Sequence, residues 1–250
     1  MALRRLRRTA FRARGESSHG MKIYGFQKLT LLDFPGKTAC TVFTGGCNLR
    51  CPFCHNPGLV KGMSGETVPE EEVFATLEKR KKTLDGVCIT GGEPMLQKDL
   101  PEFAEKVKSR GFAVKIDTNG FYPRPLRYLV REGLVDYVAV DVKNTFEKYP
   151  ETTGRPGIDL APLAETLEFL KSDPVPHEFR TTVCKTFHTG EDLIAIAALL
   201  GEGQSYYLQA FRDTGELLGE GVTGYLPSEM KALFEAVKRV HPETGLRGIS

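Results

Sequence analysis

The chain has 250 residues, of which 40% are hydrophobic and 26% charged, and its formal net charge is +2. These values are typical of a globular protein with one sizeable core. They give no indication of nucleic acid or a membrane as a partner, and no apolar run is long enough to span a bilayer.

Residues 1–20 differ in composition from the rest of the chain. They contain one acidic residue and six arginines, which are Arg4, Arg5, Arg7, Arg8, Arg12 and Arg14. Blocks of like charge are usually solvated, so we expect a disordered tail, or sequence that precedes the true start of the protein. An Arg-rich organelle transit peptide is the alternative. A regular apolar pattern begins at Met21, and we expect residues 21–250 to form a single domain.

After the tail, short apolar segments alternate with amphipathic ones, which predicts six strands, each followed by a helix. The predicted strands are Thr38–Phe43, Gly86–Thr90, Phe112–Asp117, Val135–Val140, Glu178–Val183 and Ser205–Ala210. The predicted helices lie near Pro69–Lys82, Asp99–Arg110, Pro125–Glu132, Leu160–Ser172, Glu191–Leu200 and Pro227–Val240. Six such units are fewer than the eight of a closed barrel. The order therefore predicts an α/β fold, a partial (β/α)6 TIM-like barrel of parallel strands with outer helices.

Three of the six cysteines, Cys47, Cys51 and Cys54, lie within eight residues, directly after the first predicted strand. Three thiolates can hold three irons of a [4Fe–4S] cluster and leave the fourth iron open to a chelating substrate. A zinc site is an alternative, although zinc needs a fourth ligand and His55 is poorly placed to supply it. Inert buried thiols are another alternative. A reducing cytoplasm suits these cysteines better than a disulfide framework does.

The other cysteines follow a different pattern. Cys40, Cys88 and Cys184 lie in apolar strand segments, and we expect them to be small buried side chains.

Three further motifs each follow a predicted strand. They are Gly91-Gly92-Glu93-Pro94, Asp117-Thr118-Asn119-Gly120 and Asp141-Val142-Lys143. Paired glycines allow the backbone to approach a ligand closely, and a carboxylate there can pair with an ammonium group. Alternation along an extended chain places Asp141 and Lys143 on one side. Ordinary turns and a surface ion pair are the alternatives.

The segment CNLRCPFC, residues 47–54, resembles the CxxxCxΦC signature of the radical S-adenosylmethionine (SAM) superfamily, where Φ is aromatic. The longer segment LLDFPGKTACTVFTGGCNLRCPFCHNPGLV, residues 31–60, is similar to the activating proteins of glycyl radical enzymes, and most to that of anaerobic ribonucleoside-triphosphate reductase. The resemblance implies one [4Fe–4S] cluster whose open iron binds the SAM methionine. Reductive cleavage then gives methionine and a 5′-deoxyadenosyl radical, which takes a hydrogen atom from a glycine of the partner.

The resemblance also implies roles for residues outside the cysteines. The implied SAM-binding residues are Phe53, Gly91, Gly92, Glu93, Asp117, Asp141, Lys143 and Arg180. Within this set, Phe53 would contact the adenine, Glu93 the amino group and Lys143 the carboxylate. A monovalent cation beside SAM would take oxygen ligands from Asp117, Thr118 and Asp141. Contacts with the partner are expected at Asp33, Gln209 and Arg212.

We therefore expect an activator of anaerobic ribonucleoside-triphosphate reductase, with flavodoxin or ferredoxin as electron donor. An activator of another glycyl radical enzyme, such as pyruvate formate-lyase, is the first alternative. The segment around Asp33 reads Asp-Phe-Pro-Gly-Lys, whereas pyruvate formate-lyase activators carry Asp-Gly-Pro-Gly followed by Arg. The alternative of a different class is a non-catalytic Fe–S or zinc-binding module.

Overall fold

A computed structural model describes residues 20–61, 66–172, 174–213 and 215–249 of the chain. Nearly all of the expected tail, residues 1–19, lies outside these ranges. The described residues form one sheet of eight strands. The strands are β1 (Ile23–Thr30), β2 (Ala39–Thr44), β3 (Gly86–Gly91), β4 (Ala113–Thr118), β5 (Tyr137–Asp141), β6 (His177–Val183), β7 (Tyr206–Ala210) and β8 (Thr244–Arg247).

Helices connect most of the parallel strands. They are α1 (Pro57–Lys61), α2 (Glu70–Lys79), α3 (Leu100–Ser109), α4 (Pro123–Arg131), α5 (Tyr149–Thr152), α6 (Ala161–Lys171), α7 (Gly190–Leu200) and α8 (Pro227–Lys238), with a 3-10 turn at Pro94–Leu96. All six predicted helices are present, with ends shifted by no more than three residues. No described helix combines the length and the apolar character needed to cross a membrane.

The strands lie side by side in chain order, and every neighbouring pair from β2 to β8 is parallel. The predicted α/β class with parallel strands and outer helices is confirmed. The six predicted strands correspond to β2 to β7, and the sequence prediction missed one strand at each end of the sheet. β1 pairs antiparallel with β2. Across the described ranges β1 and β8 are not paired with each other, so the sheet is open.

The two missed strands have weak sequence signals. β1 reads IYGFQKLT and alternates little, with its apolar and polar residues in blocks. β8 has only four residues, TGLR, and one of them is glycine. Such short or mixed segments are held by their pairing partners rather than by local preference.

Side chains of the central strands alternate between two environments. Val42, Ile89 and Ile116 belong to the main hydrophobic core together with Leu77 of α2 and Phe103 of α3. The opposite face of the strands carries buried polar residues, among them Thr41, Lys115 and Glu178. The sheet therefore has an apolar face beneath the helices and a polar interior face.

The parallel strands end at one edge of the sheet, and the motifs follow those ends. In the register Thr44 pairs with Gly91, and Asp141 pairs with Arg180. The cysteine loop consequently lies beside the three other motifs, which are GGEP, DTNG and DVK. The loop from β1 to β2, which contains Asp33, lies at the opposite edge because β1 runs antiparallel.

Candidate active site

A cavity of about 230 Å³ lies at the carboxyl edge of the strands. All three clustered cysteines line it, and so do residues of each of the three motifs. The lining residues are Cys47, Leu49, Cys51, Phe53, Cys54, His55, Asn56, Val60, Thr90, Gly91, Gly92, Asp117, Thr118, Asn119, Asp141, Lys143 and Thr182. The structure thus brings most of the predicted site residues to one place.

The cysteine loop is held by its own backbone and by one arginine. The Arg50 guanidinium donates to the carbonyl oxygens of Cys47 at 2.6 Å and Leu49 at 2.7 Å. The Arg50 N–H donates to the carbonyl of Thr153, at the end of α5. Leu49, Cys51 and Phe53 are buried in a second apolar cluster. The loop is therefore anchored on one side, which leaves the thiols to face the cavity.

The three thiols suit a cluster better than a single ion. Among the described residues, no group of three His, Cys, Asp or Glu side chains converges on one point where a metal ion would sit. Zinc requires its ligands about 2.0–2.3 Å from one centre. A [4Fe–4S] cluster takes its thiolate ligands on different irons, and the three thiols that line this cavity are the donor set for three of them. Burial raises the pKa of Cys51 to about 12, and the positive charge of Lys143 opposes that rise.

The GGEP turn packs directly on the cysteine loop. Gly92 N–H donates to the Thr44 carbonyl at 2.8 Å, and Glu93 N–H donates to the Gly46 carbonyl at 2.8 Å. The turn between β3 and its following helix therefore fixes the start of the cysteine loop.

The Glu93 side chain is fully buried, and both of its carboxylate oxygens accept hydrogen bonds from other residues of the chain. Its Oε1 accepts from Met95 N–H at 3.0 Å and from the Thr118 hydroxyl at 2.8 Å. Its Oε2 accepts from Asn119 N–H at 2.8 Å. Burial raises the pKa of Glu93 to about 7, although these three donors oppose the rise. Glu93 joins the loops after β3 and β4, and it is not among the described residues that line the cavity.

Asp141 and Lys143 lie on one side of the chain, as alternation predicted. The Lys143 ammonium donates to Asp141 Oδ2 at 3.0 Å, and Arg180 Nε donates to Asp141 Oδ1 at 2.9 Å. Burial alone would raise the pKa of Asp141, but the charges of Arg180 and Lys143 hold it well below its usual range. Arg180 contacts the carboxylates of Asp117 and Asp141, and it is not among the described residues that line the cavity.

The carboxylates of Asp117 and Asp141 are already paired with cationic side chains of the chain. Asp117 pairs with Lys115 through one oxygen and with Arg180 through the other. Together with Lys143, three cationic side chains already face the two carboxylates. The Thr118 hydroxyl donates to Glu93 and accepts from Gly120 N–H. These contacts do not favour the monovalent cation implied at Asp117, Thr118 and Asp141.

Two residues that the sequence analysis missed hold the backbone of Lys143. Lys143 N–H donates to the Tyr149 hydroxyl at 3.1 Å. His188 Nε2 lies 2.7 Å from the Lys143 carbonyl oxygen, and Cys184 N–H donates to His188 Nδ1 at 3.2 Å. With Nδ1 accepting, the His188 proton is on Nε2 and donates to Lys143. Nothing in the sequence marks an isolated histidine 45 residues away as a neighbour of Lys143.

The three residues expected at the partner do not lie together. Gln209 and Arg212 line a second cavity of about 290 Å³, which shares His55 and Thr182 with the first. Asp33 lies at the other edge of the sheet, where its Oδ2 accepts from the Thr41 hydroxyl at 2.5 Å.

Comparison with known proteins places this arrangement in a family. The model of the radical SAM superfamily matches residues 41–200, which contain the cysteine loop and all three motifs. A Methanocaldococcus jannaschii protein with the provisional name glycyl-radical enzyme activating enzyme is 36% identical over 194 residues, which are 76% of this chain and 79% of that protein. The pyruvate formate-lyase-activating enzyme of Listeria monocytogenes is 30% identical over 176 residues, 66% of this chain and 69% of that enzyme.

A solved structure gives the same fold. SuiB of Streptococcus suis bound to S-adenosylmethionine matches with a TM-score of 0.65 and 16% identity, over 82% of this chain. The chain spans about half the length of SuiB, 49% of it. At this identity the match supports the fold alone.

Proposed function

The chain belongs to the radical SAM superfamily and, within it, to the glycyl-radical-enzyme activating enzymes, and we propose that its target is anaerobic ribonucleoside-triphosphate reductase. One observation supports radical SAM chemistry most directly. Cys47, Cys51 and Cys54 line a single cavity, and the ion pair of Asp141 and Lys143 lines the same cavity. The choice of target is supported by residues 31–60, where Asp33 is followed by Phe-Pro-Gly-Lys.

Cys47, Cys51 and Cys54 would hold the cluster, and the cluster would supply the electron that cleaves SAM. The chain itself orients the co-substrate. Lys143 offers the cavity an ammonium group whose pKa is raised by Asp141, despite burial, so it stays charged and can bind a carboxylate. Gly91 and Gly92 line the cavity with backbone alone. Phe53, which packs against Phe187 with ring centroids 5.9 Å apart, gives an apolar wall for the adenine.

Asp117 and Asp141 line the same cavity and each pairs with Arg180. They are the groups that we assign to the ribose side of SAM. Glu93 holds the loops together, and contact with the SAM amino group falls to the backbone of the GGEP turn. Gln209 and Arg212, on the adjoining cavity, are the residues we assign to the partner's glycine segment.

The electron donor we propose is flavodoxin or ferredoxin, and the compartment is the reducing cytoplasm. All six cysteines are unpaired with one another in the structure, which suits that compartment. Residues 21–250 act as a single domain in this proposal. Activation of pyruvate formate-lyase is the second candidate, and it is favoured by the 30% identity to the Listeria enzyme.

The test uses the anaerobically reconstituted protein with SAM, a reductant and each candidate partner in turn. We expect 5′-deoxyadenosine, and a glycyl radical detected by electron paramagnetic resonance with the ribonucleotide reductase. A radical with pyruvate formate-lyase alone would move the target to the second candidate. If the protein holds an intact cluster but does not cleave SAM, the result would favour the hypothesis of a non-catalytic Fe–S module.

A further inference from the structure

Asn119, in the loop after β4, has a side-chain orientation that its neighbours fix. The residue is 6% exposed. Its Oδ1 accepts from Phe121 N–H at 3.2 Å, and a backbone N–H can only donate. The amide nitrogen Nδ2 must therefore be on the other side. There it donates to Asn48 Oδ1 at 2.7 Å and lies 3.8 Å from Cys47 Sγ.

The backbone of Asn119 is fixed as firmly as its side chain. Its N–H donates to Glu93 Oε2 at 2.8 Å, and Glu93 is in turn held by Met95 N–H and Thr118. Asn48, the other partner, lies next to Cys47 in the cysteine loop. The amide is thus aimed at the Cys47 sulfur by contacts with the loops after β2, β3 and β4.

An N–H group aimed at a ligand sulfur has a defined effect on an Fe–S cluster. It stabilises the extra negative charge of the reduced cluster, so it makes the reduction potential less negative. Leu49 N–H is a second donor, at 3.4 Å from Cys47 Sγ, but it belongs to the backbone and no side-chain substitution removes it. Among the described side chains, Asn119 is the one that donates to the Cys47 sulfur.

We propose that Asn119 is a positioning residue of the cluster, which orients Cys47 and donates to its sulfur so that the cluster is easier to reduce. The proposal rests on the proposed function only in that Cys47 is a cluster ligand. It assigns a role to Asn119, a residue of the DTNG motif for which the sequence predicted none. Neither SAM cleavage nor a partner enzyme is needed to test it.

The test compares the reduction potential of the reconstituted wild-type protein with that of Asn119→Ala and Asn119→Asp. Potentials come from redox titration followed by electron paramagnetic resonance of the reduced cluster. We expect a more negative potential in Asn119→Ala and at least as negative a potential in Asn119→Asp, which keeps the shape but loses both N–H donors. Asn56→Ala is the matched control, because Asn56 lines the same cavity and, in the described chain, makes no hydrogen bond to a cysteine sulfur.

An unchanged potential in either variant with full iron content would overturn the proposal. If both variants fail to hold the cluster, the melting temperature of the cluster-free protein distinguishes a role in positioning Cys47 from a role in general folding. An unchanged melting temperature would support a role in positioning Cys47, and a lowered one would overturn it in favour of general folding. If the wild-type protein itself holds no cluster, the result contradicts the proposed function as well as the role of Asn119.

Discussion

Gly92 lies so close to Gly46 that a Cβ on Gly92 would come within 2.0 Å of the Gly46 carbonyl oxygen. That atom is backbone, and the Gly46 N–H is itself bonded to the carbonyl of Leu59. The cysteine loop cannot move away from a new methyl group without breaking this contact. The second glycine of the GGEP turn is therefore required by packing between two loops, whatever it does toward a ligand.

The substitution Gly92→Ala should consequently displace the cysteine loop. We expect reduced iron content after anaerobic reconstitution and a loss of about 1–3 kcal/mol of stability, as for other overpacked sites. Gly190→Ala is the control, because its methyl group would meet only the end of the Leu233 side chain, at 3.3 Å. Full iron content in Gly92→Ala would show that the loop tolerates the shift.

The buried carboxyl of Glu93 predicts a pH dependence of stability. Burial raises its pKa from 4.5 to about 7 in the folded protein. The folded state then holds a proton that the unfolded state has lost between these values, so stability falls as pH rises from 4.5 toward 7. The melting temperature of cluster-free wild type, relative to Glu93→Gln, should decline over this range and level off above it. A difference that grows with pH would mean that the three donors keep Glu93 ionised.

Local spacing was enough to predict that Cys47, Cys51 and Cys54 lie together and that Asp141 and Lys143 lie on one side of the chain. The parallel direction of β2 to β7 followed too, because apolar segments alternate regularly with amphipathic ones. The role of Glu93 did not follow, since its partners Thr118 and Asn119 lie in another loop. Contacts of this kind depend on which strand ends meet at the sheet edge.

The same reason explains why His188 was missed. Its contact with Lys143 arises from the pairing of β5 with β6 and from the turn before α7. β8 was missed because four residues that include a glycine carry no strand pattern of their own.

Substitution should distinguish the three cysteines of the loop after β2 from Cys40, Cys88 and Cys184. Cys51→Ser should lose the cluster, because a hydroxyl is a poor replacement for a thiolate on iron. Cys88→Ser should keep it, since Cys88 lies within β3 beside Lys115 and does not line the cavity. Iron and sulfide content after reconstitution, with the absorbance of the cluster, checks both. Loss of iron in Cys88→Ser with an unchanged melting temperature would contradict the assignment of ligands.

Lys143 and His188 give the sharpest test of the proposed SAM pocket, because His188 contacts the backbone of Lys143. Lys143→Met removes a charged donor from the cavity, which is worth about 1.5–3 kcal/mol, so SAM affinity should fall about 10- to 100-fold. His188→Leu removes the donor to the Lys143 carbonyl and should weaken SAM binding by less. His188→Gln should restore much of it, since an amide N–H can replace Nε2–H.

Anaerobic calorimetric titration of SAM into the reconstituted variants measures these affinities. Lys148→Met is the control, because the Lys148 side chain is 41% exposed and pairs with Asp192, away from the cavity. Equal affinity in wild type and His188→Leu, at equal iron content, would show that Lys143 is positioned by Tyr149 and Asp141 without help from His188. Since the two hydrogen bonds hold opposite ends of the same residue, we expect Tyr149→Phe and His188→Leu together to approach the effect of Lys143→Met.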